Sequence, residues 1–186
     1  MKKHIITITG LPGSGKSSTA DEVARTLNYR RFSSGDLWRQ VAHEQHLSVE
    51  ELNTRAETDK SIDSLVDDAV RRAREKDNIV IDSRLAFHWI PDSYKVFLHI
   101  DPHTAAERTF AHMKNVGRVS QMAQSVEEVF EKTAARTESE RARYADLYGV
   151  DYTKESQYDF VVDTTKHSLD EVAQMIVKAY VQWVQG

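Results

Sequence analysis

Gly10, Gly15, Lys16 and Ser17 stand in the order G-x-x-x-x-G-K-S within GLPGSGKSS, Gly10 to Ser18, directly after the apolar run HIITIT. Glycines let the backbone turn until successive N–H groups point inward at phosphate oxygens, and a following helix adds the partial positive charge of its N-terminus. Such a loop holds a polyphosphate, here with Leu11, Pro12, Gly13, Ser14 and Ser18 completing the cradle. Lys16 is expected to bridge the β- and γ-phosphates, and Ser17 to offer its hydroxyl to Mg2+. The plain alternative is a chance Gly-rich turn. Strand, motif and helix in the right order weigh against it.

Three further stretches could build a site for a phosphate acceptor. FSSGDLWRQ carries Ser34 and Arg39, VIDSRLA carries Asp82 and Arg84, and RTESERARYADLYGVD carries Arg136, Glu140 and Arg143. Two rigid guanidinium forks suit a phosphate that must be gripped during attack. Either arginine of the first two stretches alone reads as a surface ion pair. Both at strand ends beside a phosphate loop point to an acceptor site, because ligands of such sheets lie at the carboxyl ends of the strands. Arg136, Glu140 and Arg143 fall at i, i+4 and i+7 on one helix face. Alone, they would read as a solvated face laced with ion pairs, each contributing about 0.2 to 0.5 kcal/mol.

The elements that must position these groups alternate between apolar strands and amphipathic helices, which predicts a parallel α/β sheet. Strands are expected near His4–Thr9, Arg30–Ser33, Asn78–Asp82, Lys95–Ile100 and Asp159–Asp163. Helices are expected at Lys16–Leu27, Gly35–His46, Val49–Glu57, Ile62–Lys76, Thr104–Lys114, Val126–Tyr148 and Leu169–Gln185. The last shows one apolar stripe, from Leu169 and Val172 through Ile176 to Tyr180 and Val184, with Ser168 and Glu171 as a capping box. Val116–Ser125 is the most loop-like stretch. No repeat and no Pro/Gly linker divides the 186 residues, so one domain is expected.

Composition narrows the function. The formal net charge of −4 argues against a nucleic-acid surface, whose affinity rests on many phosphate contacts. No apolar run approaches the roughly 20 residues of a membrane helix. There is no cysteine, so no disulfide and no thiolate metal site. His43 with His46, and His99 with His103, lack a third ligand at metal spacing and read as surface or packing residues. The N-terminus leads straight into a strand, so a cytoplasmic location is expected.

The order GLPGSGKS, SSGDLWR, DSRLA, R-T-E-S-E-R-A-R-Y with YGVD, and YDFVVDTT resembles the short-form cytidylate kinases of the nucleoside monophosphate kinase family. The resemblance implies a P-loop NTPase-type parallel five-stranded sheet flanked by helices. It also implies monophosphate-binding helices over residues 35–76 and a small lid over 109–135. The implied reaction takes ATP and CMP, or dCMP, to ADP and the diphosphate, in a monomer with Mg2+. Ser34, Arg39, Arg84 and Arg143 would hold the acceptor phosphate, and Asp82 would support that site and, through water, the metal. Arg136 and Glu140 would face the sugar, with Arg136 also available to the transferring group. Arg108 would reach the ATP phosphates or stack on adenine, which Thr164–His167 would border.

Two departures from longer bacterial relatives imply that other side chains read the base here: the extra insert is missing, and Leu85 stands where they carry an acid. The nearest acidic supply is ETDKSIDSLVDD, with Asp59, Asp63 and Asp67 at i, i+4 and i+8. Asp63 is expected to read cytosine; a solvated acidic face is the alternative. Two rival functions stay open: a kinase for AMP, UMP or a small metabolite, and a non-catalytic nucleotide-binding module.

Overall fold

The computed structural model describes residues 4–115 and 123–186. Five parallel strands, β1 (Ile5–Gly10), β2 (Arg30–Ser33), β3 (Ile79–Asp82), β4 (Tyr94–His99) and β5 (Phe160–Asp163), form one sheet in the order β2-β3-β1-β4-β5. The helices are α1 (Lys16–Leu27), α2 (Ser34–Glu44), α3 (Val49–Ala56), α4 (Lys60–Ala73), α5 (Ala86–Trp89), α6 (Pro102–Asn115), α7 (Val126–Tyr148) and α8 (Leu169–Gln185), with a short 3-10 turn at Glu155–Gln157. The two longest expected helices agree with α7 and α8 to the residue. The short α5 was not foreseen, because four residues after a strand carry no readable periodicity.

Alternation along β1 sends Ile6 and Ile8 to one face and Ile5 to the other. On the first face they meet Val23 of α1 and Ile176 and Tyr180 of α8, all buried. On the second, Ile5 meets Val70 and Ala73 of α4 and Ile90 after α5. The polar members of β1 are also satisfied: Thr7 Oγ1 lies 2.9 Å from Ser93 Oγ, and Thr9 Oγ1 donates to Ser83 O at 2.9 Å. Burial therefore leaves no hydroxyl of this strand without a partner.

Helices α2 to α4 have a small core of their own, Val41, Ala42, Leu52, Ala56 and Ile62. Ser33 caps α2, Ser48 and Glu51 form a capping box on α3, and Asp59 caps α4 by accepting from Ser61 N. The expected carboxylate trio is thus corrected. Asp59 is an N-cap at the end of the helix, since a short acidic side chain there satisfies an orphan N–H. Asp63 and Asp67 alone turn inward, and both are buried. Ser168 and Glu171 close the expected capping box on α8. Residues 116–122 of the expected lid lie outside the described residues, while Ser125 caps α7.

Candidate active site

The loop after β1 turns on two glycines. A Cβ on Gly10 would fall 2.5 Å from Leu98 O, and Gly13, at φ 78°, would bring one within 2.8 Å of Ala105 O. Only glycine fits where the loop runs this close to β4 and α6. Lys16 Nζ folds back to donate to Gly10 O (2.9 Å) and Leu11 O (3.1 Å). Desolvation, with the Arg84 guanidinium close by, pushes the Lys16 ammonium down to about 7. Ser17 Oγ donates to Asp82 Oδ2 at 2.7 Å. The register explains this contact, since Ile8 of β1 pairs with Asp82 of β3 and sets the two strand ends side by side.

Beyond the loop, Ser34, Arg39, Asp63, Arg84, Arg136, Glu140 and Arg143 line one cavity of about 100 Å3. The cavity gathers residues from α2, α4, the β3 end and α7. A larger cleft of about 570 Å3 joins Arg84, Arg136, Glu140 and Arg143 to Pro12 and Gly13 of the phosphate loop. The cleft over the phosphate loop and the smaller cavity therefore share a wall of arginines.

How those arginines are held decides what they can do. Glu140, buried on α7, accepts from Arg136 Nε through Oε1 at 2.8 Å, while its Oε2 ion-pairs with Arg84 Nε and accepts from Tyr152 Oη at 3.3 Å. Arg143 Nε lies 3.0 Å from Asp63 Oδ2. Each guanidinium thus sets Nε against a buried carboxylate, hydrogen-bonded for Arg136 and at ion-pair distance for Arg84 and Arg143, which leaves donor capacity on the Nη nitrogens. Burial works against the Glu140 charge, but Arg84 and Arg136 overcome it and hold the carboxyl below its ordinary value. Desolvation wins at Asp63, whose carboxyl is pushed up to about 6 against the opposing pull of Arg143. Asp67 is raised by the same cause, although Tyr148 Oη donates to it at 2.5 Å.

Not every expected residue joins this cluster. Arg108 donates through Nη2 to Thr164 O (2.9 Å) and Thr165 O (3.2 Å), which ties α6 to the segment after β5. Arg39 reaches the cavity, yet its guanidinium rests on Asp36 Oδ1 at 2.5 Å on the exposed face of α2. Sequence reasoning missed Arg31, Trp38, Asn53 and Tyr144. Arg31 had a usable signal: two residues before Ser33, it shares that residue's face of β2 by the period of the strand. Trp38, Asn53 and Tyr144 carried none, because apolar or amide side chains on helices read as packing.

The family model described as the cytidylate kinase-like family matches residues 5–166, which span the loop, the arginine-lined cavity and β5. The chain belongs to this family. Cytidylate kinases of Methanocella arvoryzae and Methanothrix thermoacetophila are 34% and 37% identical over 94% and 86% of this chain, and over 95% and 88% of their own lengths. Family membership makes the chain a nucleoside monophosphate kinase, an enzyme of ATP-dependent phosphoryl transfer. The S-adenosylmethionine-dependent nucleotide dehydratase of Lacinutrix mariniflava is 32% identical over 96% of this chain, but the chain spans only 36% of that protein's length. Among solved structures, a shikimate kinase from Bacteroides thetaiotaomicron (TM-score 0.63, 19% identity, 94% of this chain and 96% of that one) shares the fold. So does a gluconokinase from Sinorhizobium meliloti (TM-score 0.62, 15% identity, 99% and 95%). This chain shares the P-loop kinase sheet with both solved structures. Among the described residues, no helix is long and apolar enough to cross a membrane, and no group of three or more His, Cys, Asp or Glu is arranged to hold a metal.

Proposed function

We propose that this chain transfers the γ-phosphoryl group of ATP to CMP or dCMP, giving ADP and CDP or dCDP. The observation that carries the reading is the set of three guanidiniums, Arg84, Arg136 and Arg143, each ion-paired with a buried carboxylate around one cavity that adjoins the cleft over the phosphate loop. A pure nucleotide binder has no use for a second phosphate clamp, and an alcohol acceptor would not need these arginines together with Arg39.

The acceptor is already a phosphate oxygen, so no general base is required. Arg143, Arg84 and Ser34 would hold the acceptor phosphate, with Arg39 joining once it leaves Asp36. Arg136 and Lys16 would face the equatorial oxygens of the transferring group, where charge is spread in the transition state. Ser17 and Asp82 are a hydroxyl and a carboxylate, hard oxygen donors that fit Mg2+, directly and through water. Bound there, the ion would neutralise charge on the β- and γ-phosphates. Asp63, on the acceptor cavity, would accept from the exocyclic amine of cytosine, an edge where uracil presents an oxygen. Residues 35–76 would cover the acceptor, and residues 109–135 would close over both nucleotides to exclude water.

ADP release from ATP with CMP, dCMP, UMP, AMP, GMP and simple polyols tests the reading. CMP or dCMP should give the highest kcat/KM. Faster turnover with AMP or a polyol would overturn the choice of acceptor.

A further inference from the structure

The most heavily used oxygen of the site is Asp82 Oδ2. It accepts from Ser17 Oγ at 2.7 Å, Ser33 Oγ at 3.2 Å and Arg31 Nη2 at 3.3 Å. Arg31 has no part in the proposed phosphoryl transfer, yet its guanidinium meets a carboxylate on all three faces, hydrogen-bonded through Nη1 and Nη2 and at ion-pair distance through Nε. Nη2 holds Asp82, Nη1 lies 3.1 Å from Asp36 Oδ2, and Nε lies 3.3 Å from Asp21 Oδ1 on α1. Its side chain is only 21% exposed, against 63% and 55% for Asp21 and Asp36. Asp36 spends its other oxygen on Arg39 Nη2. An unbroken chain thus runs Ser17–Asp82–Arg31–Asp36–Arg39, from the phosphate loop to the acceptor side of α2.

We propose that Arg31 is a positioning residue that fixes the metal-side carboxylate Asp82 and couples it to the acceptor-side pair Asp36–Arg39. The physical reason is a conflict of duties at each end. If Ser17 turns its hydroxyl to a metal-bound polyphosphate, Asp82 loses its shortest hydrogen bond and relies on Ser33 and Arg31 for its orientation. If Arg39 turns to an acceptor phosphate, Asp36 is released from it and rests wholly on Arg31. One planar fork serves both carboxylates, so tightening at one end favours the arrangement needed at the other. A lysine could not hold both in this fixed geometry, because an ammonium is a point charge without a planar fork.

Both halves of this inference rest on the proposed function, the metal half on Mg2+ at Ser17 and Asp82 and the acceptor half on CMP, and the two are read separately. The test is calorimetric binding of a non-hydrolysable ATP analogue to the whole protein, with Mg2+ and with EDTA, and then with and without CMP. For Arg31→Ala, affinity for the Mg2+ complex should fall about 10-fold, the scale of outer-shell losses at metal sites. Mg2+-free affinity should change less than about two-fold, the discrimination that a merely structural role would not give. In the parent, CMP should tighten binding of the Mg2+ complex about five-fold or more, and equally in reverse. Arg31→Lys should recover part of the Mg2+ preference without this coupling. Asp36→Asn leaves Arg31 on Asp82, so it should keep the Mg2+ preference and lose the coupling. Equal losses with and without Mg2+ in Arg31→Ala, or full coupling in Asp36→Asn, would overturn the assignment. If Arg31→Ala does not fold, Arg31→Lys and Asp36→Asn decide it by the same readings. A parent that ignores CMP would refute the acceptor reading instead, and the Mg2+ comparison would still stand or fall on Arg31.

Discussion

Arg143 Nε lies 3.0 Å from Asp63 Oδ2, with side-chain exposures of only 7% and 4%. The residue expected to grip the acceptor phosphate is thus held by the residue expected to read its base. On the proposed function, base recognition and phosphate positioning would share one ion pair, so a change to either residue would reach both.

Asp63→Ala removes one partner of that buried pair and should destabilise the fold by about 3 to 5 kcal/mol, because an uncompensated guanidinium stays behind. Urea denaturation measures it. Asp63→Asn keeps the shape and is the cleaner kinetic probe. Its kcat/KM for CMP should fall on the order of 10-fold or more, and further than that for UMP. An unchanged CMP:UMP ratio would move base reading to another side chain.

The pH dependence of Asp63 has a definite sign. Its folded-state carboxyl titrates near 6, above the ordinary 3.8, so between those values the folded protein binds more protons than the unfolded chain. Its contribution to stability is fully present below about 4 and is lost as pH rises through about 6. Asp63→Asn should therefore steepen the rise of unfolding free energy with pH across that window. In the parent, CMP affinity should weaken as pH falls through 6, where the accepting carboxylate becomes a donor. Denaturation and calorimetric titrations at a series of pH values check both.

Lys16 behaves in the opposite sense. Its ammonium titrates near 7 in the fold against an ordinary 10.5, so the unfolded chain binds more protons between them and stability should rise with pH over that range. Phosphates would restore the charge. At pH 7, binding of the ATP–Mg2+ complex should take up about half a proton, read from calorimetric enthalpies in buffers of different ionisation enthalpy. Lys16→Met should abolish the uptake and cut single-turnover transfer by about 10²-fold or more at saturating ATP.

Arg84→Lys and Arg143→Lys keep the charge but not the fork. Glu140 and Asp63 each anchor their arginine through Nε, an atom position lysine does not offer in that geometry. Both variants should lose at least about 10-fold in kcat/KM for CMP, about 1.4 kcal/mol of transition-state stabilisation. Parental kinetics in both would make these arginines ordinary ion-pair residues.

Ile176→Ala offers the contrast of a purely structural change. Ile176 is fully buried between α8 and the sheet, so truncation should cost about 2 to 5 kcal/mol of stability. Activity per folded molecule should stay within about two-fold of the parent, since α8 touches neither cavity.

Much of this protein is local, and local information is what a sequence carries. Strand order aside, the five strands and the long helices follow from apolar periodicity, and α8 from its stripe and capping box. The phosphate loop is contiguous, so its glycines, Lys16 and Ser17 were legible together. Asp82 and Arg84 followed from their place at a strand end. Tertiary structure decided the rest. Which carboxylate holds which arginine depends on α4 and α7 meeting across the arginine-lined cavity, 80 residues apart for Asp63 and Arg143. Spacing alone grouped Asp59 with Asp63 and Asp67, yet the helix starts at Lys60 and turns Asp59 into its cap. Arg31 looked like an ordinary strand residue until β2 paired with β3 and Ser33 came opposite Asp82. Periodicity tells a residue which face it occupies; only the packing of distant elements tells it what it will face.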